Sequence, residues 1–205
     1  MDSRTWFDSS AQWLRTLLPA VNGRLDVPAL GEWDVRALLG HTCRAFITVE
    51  RYLSAGADAP PNTQPDLDSA EDYFRAAAAS LSDPQRVTQR GNDAGRDLGD
   101  DPAASAEAMI LRVCSLVART PDHAIVMTPV GAMQLDAYLP TRAFELTVHG
   151  IDLAVVTKQQ VPEHLHQNIS SAIALSSLIA TPEQSLRLLR TITGREELPP
   201  DFTII

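Results

Sequence analysis

The sequence predicts a mainly α-helical fold, an up-and-down four-helix bundle carrying one short hairpin and a short C-terminal extension. Two observations predict it. Long stretches repeat apolar residues at helical intervals, and the segments between them are short and rich in breakers. A composition that is 44% hydrophobic but only 5% aromatic leaves the core to Leu, Ala, Val and Ile.

Trp6, Trp13, Leu14, Leu17 and Leu18 mark a first helix, which Pro19 is expected to stop. After a loop with Gly23, Pro28 and Gly31, Asp34 is placed to cap a second helix. Its stripe of Val35, Leu38, Leu39, Phe46, Val49 and Leu53 lasts to about Ser54. A proline-rich connector over 56–65 leads to Ser69 and Asp72, which open an alanine-rich third helix ending near Leu81. Residues 83–101 mix Pro, Gly, Asn, Asp and Arg without apolar periodicity and read as a mobile excursion, a lid or a slack loop. Helical spacing returns over 102–118, and 125–136 reads as two strands about a turn at Pro129 to Gly131. A fifth helical segment spans about 137–156, with Asp136 as cap and Pro140 in its first turn. Two more helices, near 162–179 and 182–193, precede an extended tail over 198–205. The division is thus a helical bundle over 1–156 and a helical extension over 157–205 packed on it.

The net charge of -9 repels phosphate backbones and anionic lipid, so nucleic acid and membrane are not expected partners. Cys43 and Cys114 form no CxxC pair, no stretch of 18 apolar residues occurs, and the N-terminus lacks a basic and then apolar leader. A cytoplasmic protein is expected. The alanine-rich helices permit a homodimer.

The fifth segment carries the chemistry. Phe144, Leu146, Val148, Ile151, Leu153 and Val155 put apolar groups around most of its circumference, yet Arg142, Glu145, His149 and Asp152 form one polar ridge. An unpaired buried carboxylate and imidazole cost several kcal/mol, roughly, so the ridge needs a partner or a wet cavity. Glu145 and His149, four apart, can share one divalent cation, and His41 on the second helix is the candidate third ligand. Without a cation, Glu145 and His149 reduce to an ordinary helix-surface pair, for which this helix has little solvent face. Arg142 and Asp152 read as supporting groups, an orienter of a bound imidazole and a structural ion pair. Gly150 suggests a close helix approach. Cys43 reads as core filler, and His164 and His166 as solvated. Arg187, Arg190 and Arg195 offer forked donors for a carboxylate or a solvated helix face.

Two motifs, Trp33-Asp34-Val35-Arg36-x-Leu38-Leu39-x-His41 and Tyr138-Leu139-Pro140-Thr141-Arg142-x-x-Glu145-x-x-x-His149-Gly150-x-Asp152-Leu153, together resemble the mycothiol-dependent maleylpyruvate isomerase family of the DinB-like superfamily. The resemblance covers roughly residues 5 to 156, and the tail over 193–202 is similar to chain ends of related proteins. It implies a DinB-like bundle whose His41, Glu145 and His149 hold zinc or another divalent metal with one position open to water or to the thiol of mycothiol. It also implies a metal-dependent, mycothiol-using transferase or isomerase acting on a small electrophile. Among the C-terminal arginines, Arg195 is the candidate contact for the cosubstrate. Where the isomerase carries a larger second region, about fifty residues follow the bundle here. Two rival readings stand beside this one. A hydrolase would use bound water at the same site, and a non-catalytic binding module would use a coordinatively closed metal as a staple.

Overall fold

The structure, a computed structural model, describes residues 1–81, 83–200 and 202–204. Helix α1 (Ser3–Val21) starts where the Asp2 carboxylate accepts the Thr5 amide at 2.9 Å. It runs through Pro19 rather than stopping there. The backbone bond that proline forfeits is outweighed by burial of Leu17, Leu18 and Val21 on one face. A two-strand ribbon that the sequence did not announce, β1 (Pro28–Leu30) with β2 (Trp33–Asp34), then feeds α2 (Val35–Ala57). Asp34 caps α2 by accepting from Ala37 N at 2.8 Å.

After the connector, α3 (Ala70–Leu81) opens on the Ser69 hydroxyl, which accepts the Asp72 amide and donates to its carboxylate. The segment expected to be a mobile excursion is instead a helix, α4 (Pro84–Asp97), capped by Asp83 and packed on α2. Its packing surface is glycine rather than a hydrophobic stripe. A Cβ at Gly40 of α2 would overlap the backbone nitrogen of Gly95, and one at Gly91 would sit 2.6 Å from the Trp33 ring. Arg36 adds a donor to the Gly99 carbonyl at 2.9 Å. Gly40→Ala is therefore expected to destabilise the protein by about 3 kcal/mol, the upper range for overpacking. Gly23→Ala, where a Cβ meets nothing within 4 Å, should stay within about 0.5 kcal/mol. Urea unfolding of both variants checks the contrast.

Helix α5 (Pro102–Arg119) is capped by Asp101. The predicted hairpin forms from β3 (Ile125–Thr128) and β4 (Gly131–Gln134), with Gly131 at φ +138° where a side chain would be strained. Helix α6 (Leu135–Thr157) begins two residues before its expected start, so Pro140 lies in its second turn. Asp136 does not cap it: Gln134 is the cap residue and makes no side-chain bond, while the Asp136 carboxylate accepts from its neighbour Ala137. Val155 is 71% exposed, so one side of the last turn of α6 faces solvent while Ala154 and Thr157 stay buried.

Helices α1, α2, α5 and α6 form the bundle, with α1 against α6 and α2 between α4 and α6. The Trp6 indole donates to Thr147 at 3.0 Å, and Gly150 admits the Trp13 ring, which a Cβ would approach to 2.6 Å. A short 3-10 turn (Glu163–Leu165) leads to α7 (His166–Ile179), pinned to α1 by Asn168, which donates to Ser9 and Ser10 at 2.8 Å each. Helix α8 (Pro182–Ile192) buries no residue. The tail turns where Phe202 N donates to Pro199 O; Asp201 and Ile205, expected to be part of an extended tail, lie outside the described residues. Among the described residues no helix is long and apolar enough to cross a membrane.

Candidate metal centre

The four-residue spacing that joins Glu145 to His149 on α6, and the packing of α2 against α6, bring three donors together. One ligand atom from each of His41, Glu145 and His149 lies within 4.8 Å of the others. Glu145 Oε2 stands 3.4 Å from His149 Nε2 and 3.9 Å from His41 Nε2. The imidazole centroids are 4.7 Å apart and nearly perpendicular. Side-chain exposures of 17%, 24% and 14% for His41, Glu145 and His149 keep the group partly open.

This donor set suits a divalent cation. Ligand bonds of about 2.0–2.2 Å in tetrahedral array separate donor atoms by roughly 3.3–3.6 Å, close to the shorter spacing here. The His149 Nδ1 contacts Asp152 Oδ2 at 3.0 Å. If Nδ1–H donates there, a neutral His149 points its Nε2 lone pair at the Glu145 carboxylate. Such a lone-pair encounter is unfavourable until a proton or a cation lies between them. No fourth His, Cys, Asp or Glu among the described residues joins the group.

Charge is distributed accordingly. Burial, joined by the neighbouring His149 charge, lowers the His41 pKa to about 3, so this imidazole is neutral and has a lone pair to give. Burial also opposes a charge on His149, but its bonds to Asp152 and Glu145 prevail and raise it to about 9. For Glu145, burial is outweighed by His149 and by the Arg142 charge, and the carboxyl falls to about 2.

The other expected residues are placed as follows. Asp152 contacts His149, not Arg142. Arg142 is 8% exposed and lies over the rings of Tyr73 and Tyr138, 5.4 and 5.2 Å from their centroids. Arg195 is exposed, donates to the Thr193 carbonyl at 2.8 Å, and makes no bond to the donor group. Arg187 and Arg190 pair with Glu196. The C-terminal arginines thus form a local surface cluster. Cys43 is buried, and burial pushes its thiol up to about 12, which makes it inert at neutral pH. His164 and His166 are exposed.

Trp33, from the first motif, is a further neighbour of the donors. The Trp33 indole lies 4.4 Å from the His41 ring, tilted by 33°, and is anchored through Nε1 to the Thr88 carbonyl of α4. It covers one face of His41. The His41 Nδ1 is buried and makes no hydrogen bond.

Compared with known proteins, the chain matches the family described as mycothiol maleylpyruvate isomerase N-terminal domain over residues 6–154. No curated protein and no solved structure matches it. With the helical bundle and a family match that spans both motifs, the chain belongs to the mycothiol maleylpyruvate isomerase N-terminal domain family, within the DinB-like superfamily.

Proposed function

We propose that the protein is a metal-dependent, thiol-using transferase or isomerase that acts on a small electrophilic molecule, with His41, Glu145 and His149 as ligands to zinc or a similar cation. The supporting observation is the convergence of three donors from two helices, partly open and without a fourth protein donor among the described residues. An open position separates this reading from a metal staple, which closes its coordination sphere with protein. In this reading residues 1–156 carry the chemistry and residues 157–205 are an extension packed on the bundle.

A cation held there supplies one thing, a coordinated thiol stripped of its proton and therefore nucleophilic near neutral pH. The protein does the rest. Glu145 and neutral His41 present lone pairs, Asp152 fixes the His149 ring by accepting from Nδ1, and Trp33 shields one face of His41. Mycothiol is the thiol that family membership favours.

The test uses cobalt-substituted protein titrated with mycothiol. Coordination of the thiolate is expected to produce a new sulfur-to-cobalt absorption band that saturates at one thiol per metal. A spectrum unmoved by thiol would leave the hydrolase reading, in which mycothiol has no effect on turnover, or the staple.

A further inference from the structure

Beside the three donors runs a second polar surface. Tyr52 of α2 meets Tyr138 of α6 with ring centroids 5.8 Å apart, and His41 of α2 meets Glu145 and His149 of α6. These two crossings fix an antiparallel register. Between His41 and Tyr52, helical spacing puts Arg44 and Thr48 on the same face of α2. Between Tyr138 and Glu145 it puts Arg142 on the matching face of α6. Tyr73 of α3 closes the third side, 5.7 Å from Tyr138 ring to ring.

We infer that this strip, built from Arg44, Arg142, Tyr52, Tyr73 and Tyr138, is a subsite that binds a carboxylate next to the metal centre. It deepens the proposed function by naming an acidic group on one of the two reactants, and it rests on that reading only for the identity of the reactants.

Three observations carry it. Arg142 is 8% exposed, yet among the described residues its one hydrogen bond is a donor to the adjacent Thr141 hydroxyl at 2.9 Å. Most of the guanidinium fork is unused. Arg44 is partly buried and makes no hydrogen bond or ion pair among the described residues. The Tyr138 hydroxyl is fully buried and makes no hydrogen bond among the described residues, although Thr48 lies beside it. The Thr48 hydroxyl donates to the Arg44 carbonyl and so has no proton to donate to the phenol. Two guanidinium groups thus keep unused donors among the described residues, and one buried phenol makes no hydrogen bond, in a chain of net charge -9.

Structural charge balance does not account for the strip. Glu145 offsets the charge of Arg142 without a hydrogen bond or ion pair to it among the described residues, and its Oε2 faces the two histidines, so one carboxylate is set against two guanidinium groups and two imidazoles. Arg44 loses part of its preference for charge through burial and then through the like charges of Arg90 and Arg142. Buried donors without acceptors are costly, and a planar carboxylate accepts from a guanidinium fork and a phenol together. The C-terminal arginines, which the sequence offered for this task, are occupied by Glu196 and Thr193.

The carboxylate belongs either to the electrophile or to a thiol other than mycothiol, whose cysteine carboxyl is already an amide, and two ligand pairs separate these sources. Zinc-loaded protein is titrated by calorimetry with succinate and succinamide, and with N-acetylcysteine and its amide. The zinc content of each sample is measured alongside. At least one acid is expected to bind about tenfold or more tightly than its amide, and the pair that shows this identifies the source. In Arg44→Gln, with zinc content unchanged, the preference should collapse to less than threefold. Tyr138→Phe, which removes only the unbonded hydroxyl, should reduce it part of the way. No preference in either pair, or a preference that survives Arg44→Gln, overturns the subsite. Should wild type hold no zinc, the proposed function fails separately, and the same preference in metal-free protein still decides the subsite.

Discussion

His149→Ala is expected to release the divalent cation while leaving the bundle folded. His149 contributes one of three donor atoms, and its loss leaves Glu145 facing His41 at 3.9 Å with no third partner. Removing a group that merely orients a ligand costs about 10- to 100-fold in metal affinity. Asp152→Asn, which keeps the size but loses the anionic acceptor at 3.0 Å from Nδ1, should fall in that range. Removing the ligand itself should exceed it, weakening zinc by at least about 100-fold. Elemental analysis after gel filtration separates the two: metal near one per chain for wild type, reduced for Asp152→Asn, and near zero for His149→Ala. Thermal unfolding gives a second view. Zinc at a free concentration of 100 times Kd stabilises a folded-state binder by about 2.7 kcal/mol. For a chain of this length that is a rise of roughly 5–10 °C in Tm, and His149→Ala should show almost none. Equal, negligible metal in wild type and variant would remove the basis of every chemical step proposed above.

What the sequence made legible follows from which signals are local. The bundle helices α1, α2, α5 and α6 announce themselves through their apolar stripes and, for α2, through the Asp34 cap. Helix α4 was not legible because its packing face is Gly91 and Gly95, residues with poor helix propensity that read as loop. Only the approach of Gly40 in α2 and of Trp33 in β2 turns that face into an advantage. The β1–β2 ribbon, with strands of three and two residues, carries too little pattern to register. For the site, Glu145 and His149 lie one turn apart on a single helix, a relation that spacing states directly. His41 needed the two-part motif as well. Trp33, Arg44 and Tyr138 stayed without a role because each matters only through the register of α2 against α6 and the docking of α4. Spacing along one helix carries no information about that register.

In the metal-free protein His149 keeps its proton to about pH 9, whereas an unfolded chain releases it near 6.5. Between those values the folded state binds more protons than the unfolded state, so stability falls as pH rises through the window. Below 6.5 both states carry the proton and the full contribution is present. Raising a pKa from 6.5 to about 9 is worth roughly 3 kcal/mol. His41 acts in the other direction. Its folded value of about 3 keeps it neutral where the unfolded chain is protonated, so stability also falls as pH drops from 6.5 toward 3. Glu145 deepens that acid loss between 4.5 and about 2. The contribution of this cluster to metal-free stability therefore peaks near pH 6.5 and declines on both sides. A cation that takes the Nε2 lone pair must displace the His149 proton, since ligands bind deprotonated. Zinc uptake near pH 7.5 should thus release about one proton, read by calorimetry in buffers of different ionisation enthalpy. The zinc-bound protein should lose the alkaline decline, as should His149→Gln without metal. A wild-type metal-free protein whose stability is flat from pH 6.5 to 9, with no proton released on zinc binding, would mean that His149 does not lie between Asp152 and Glu145 as the geometry has it.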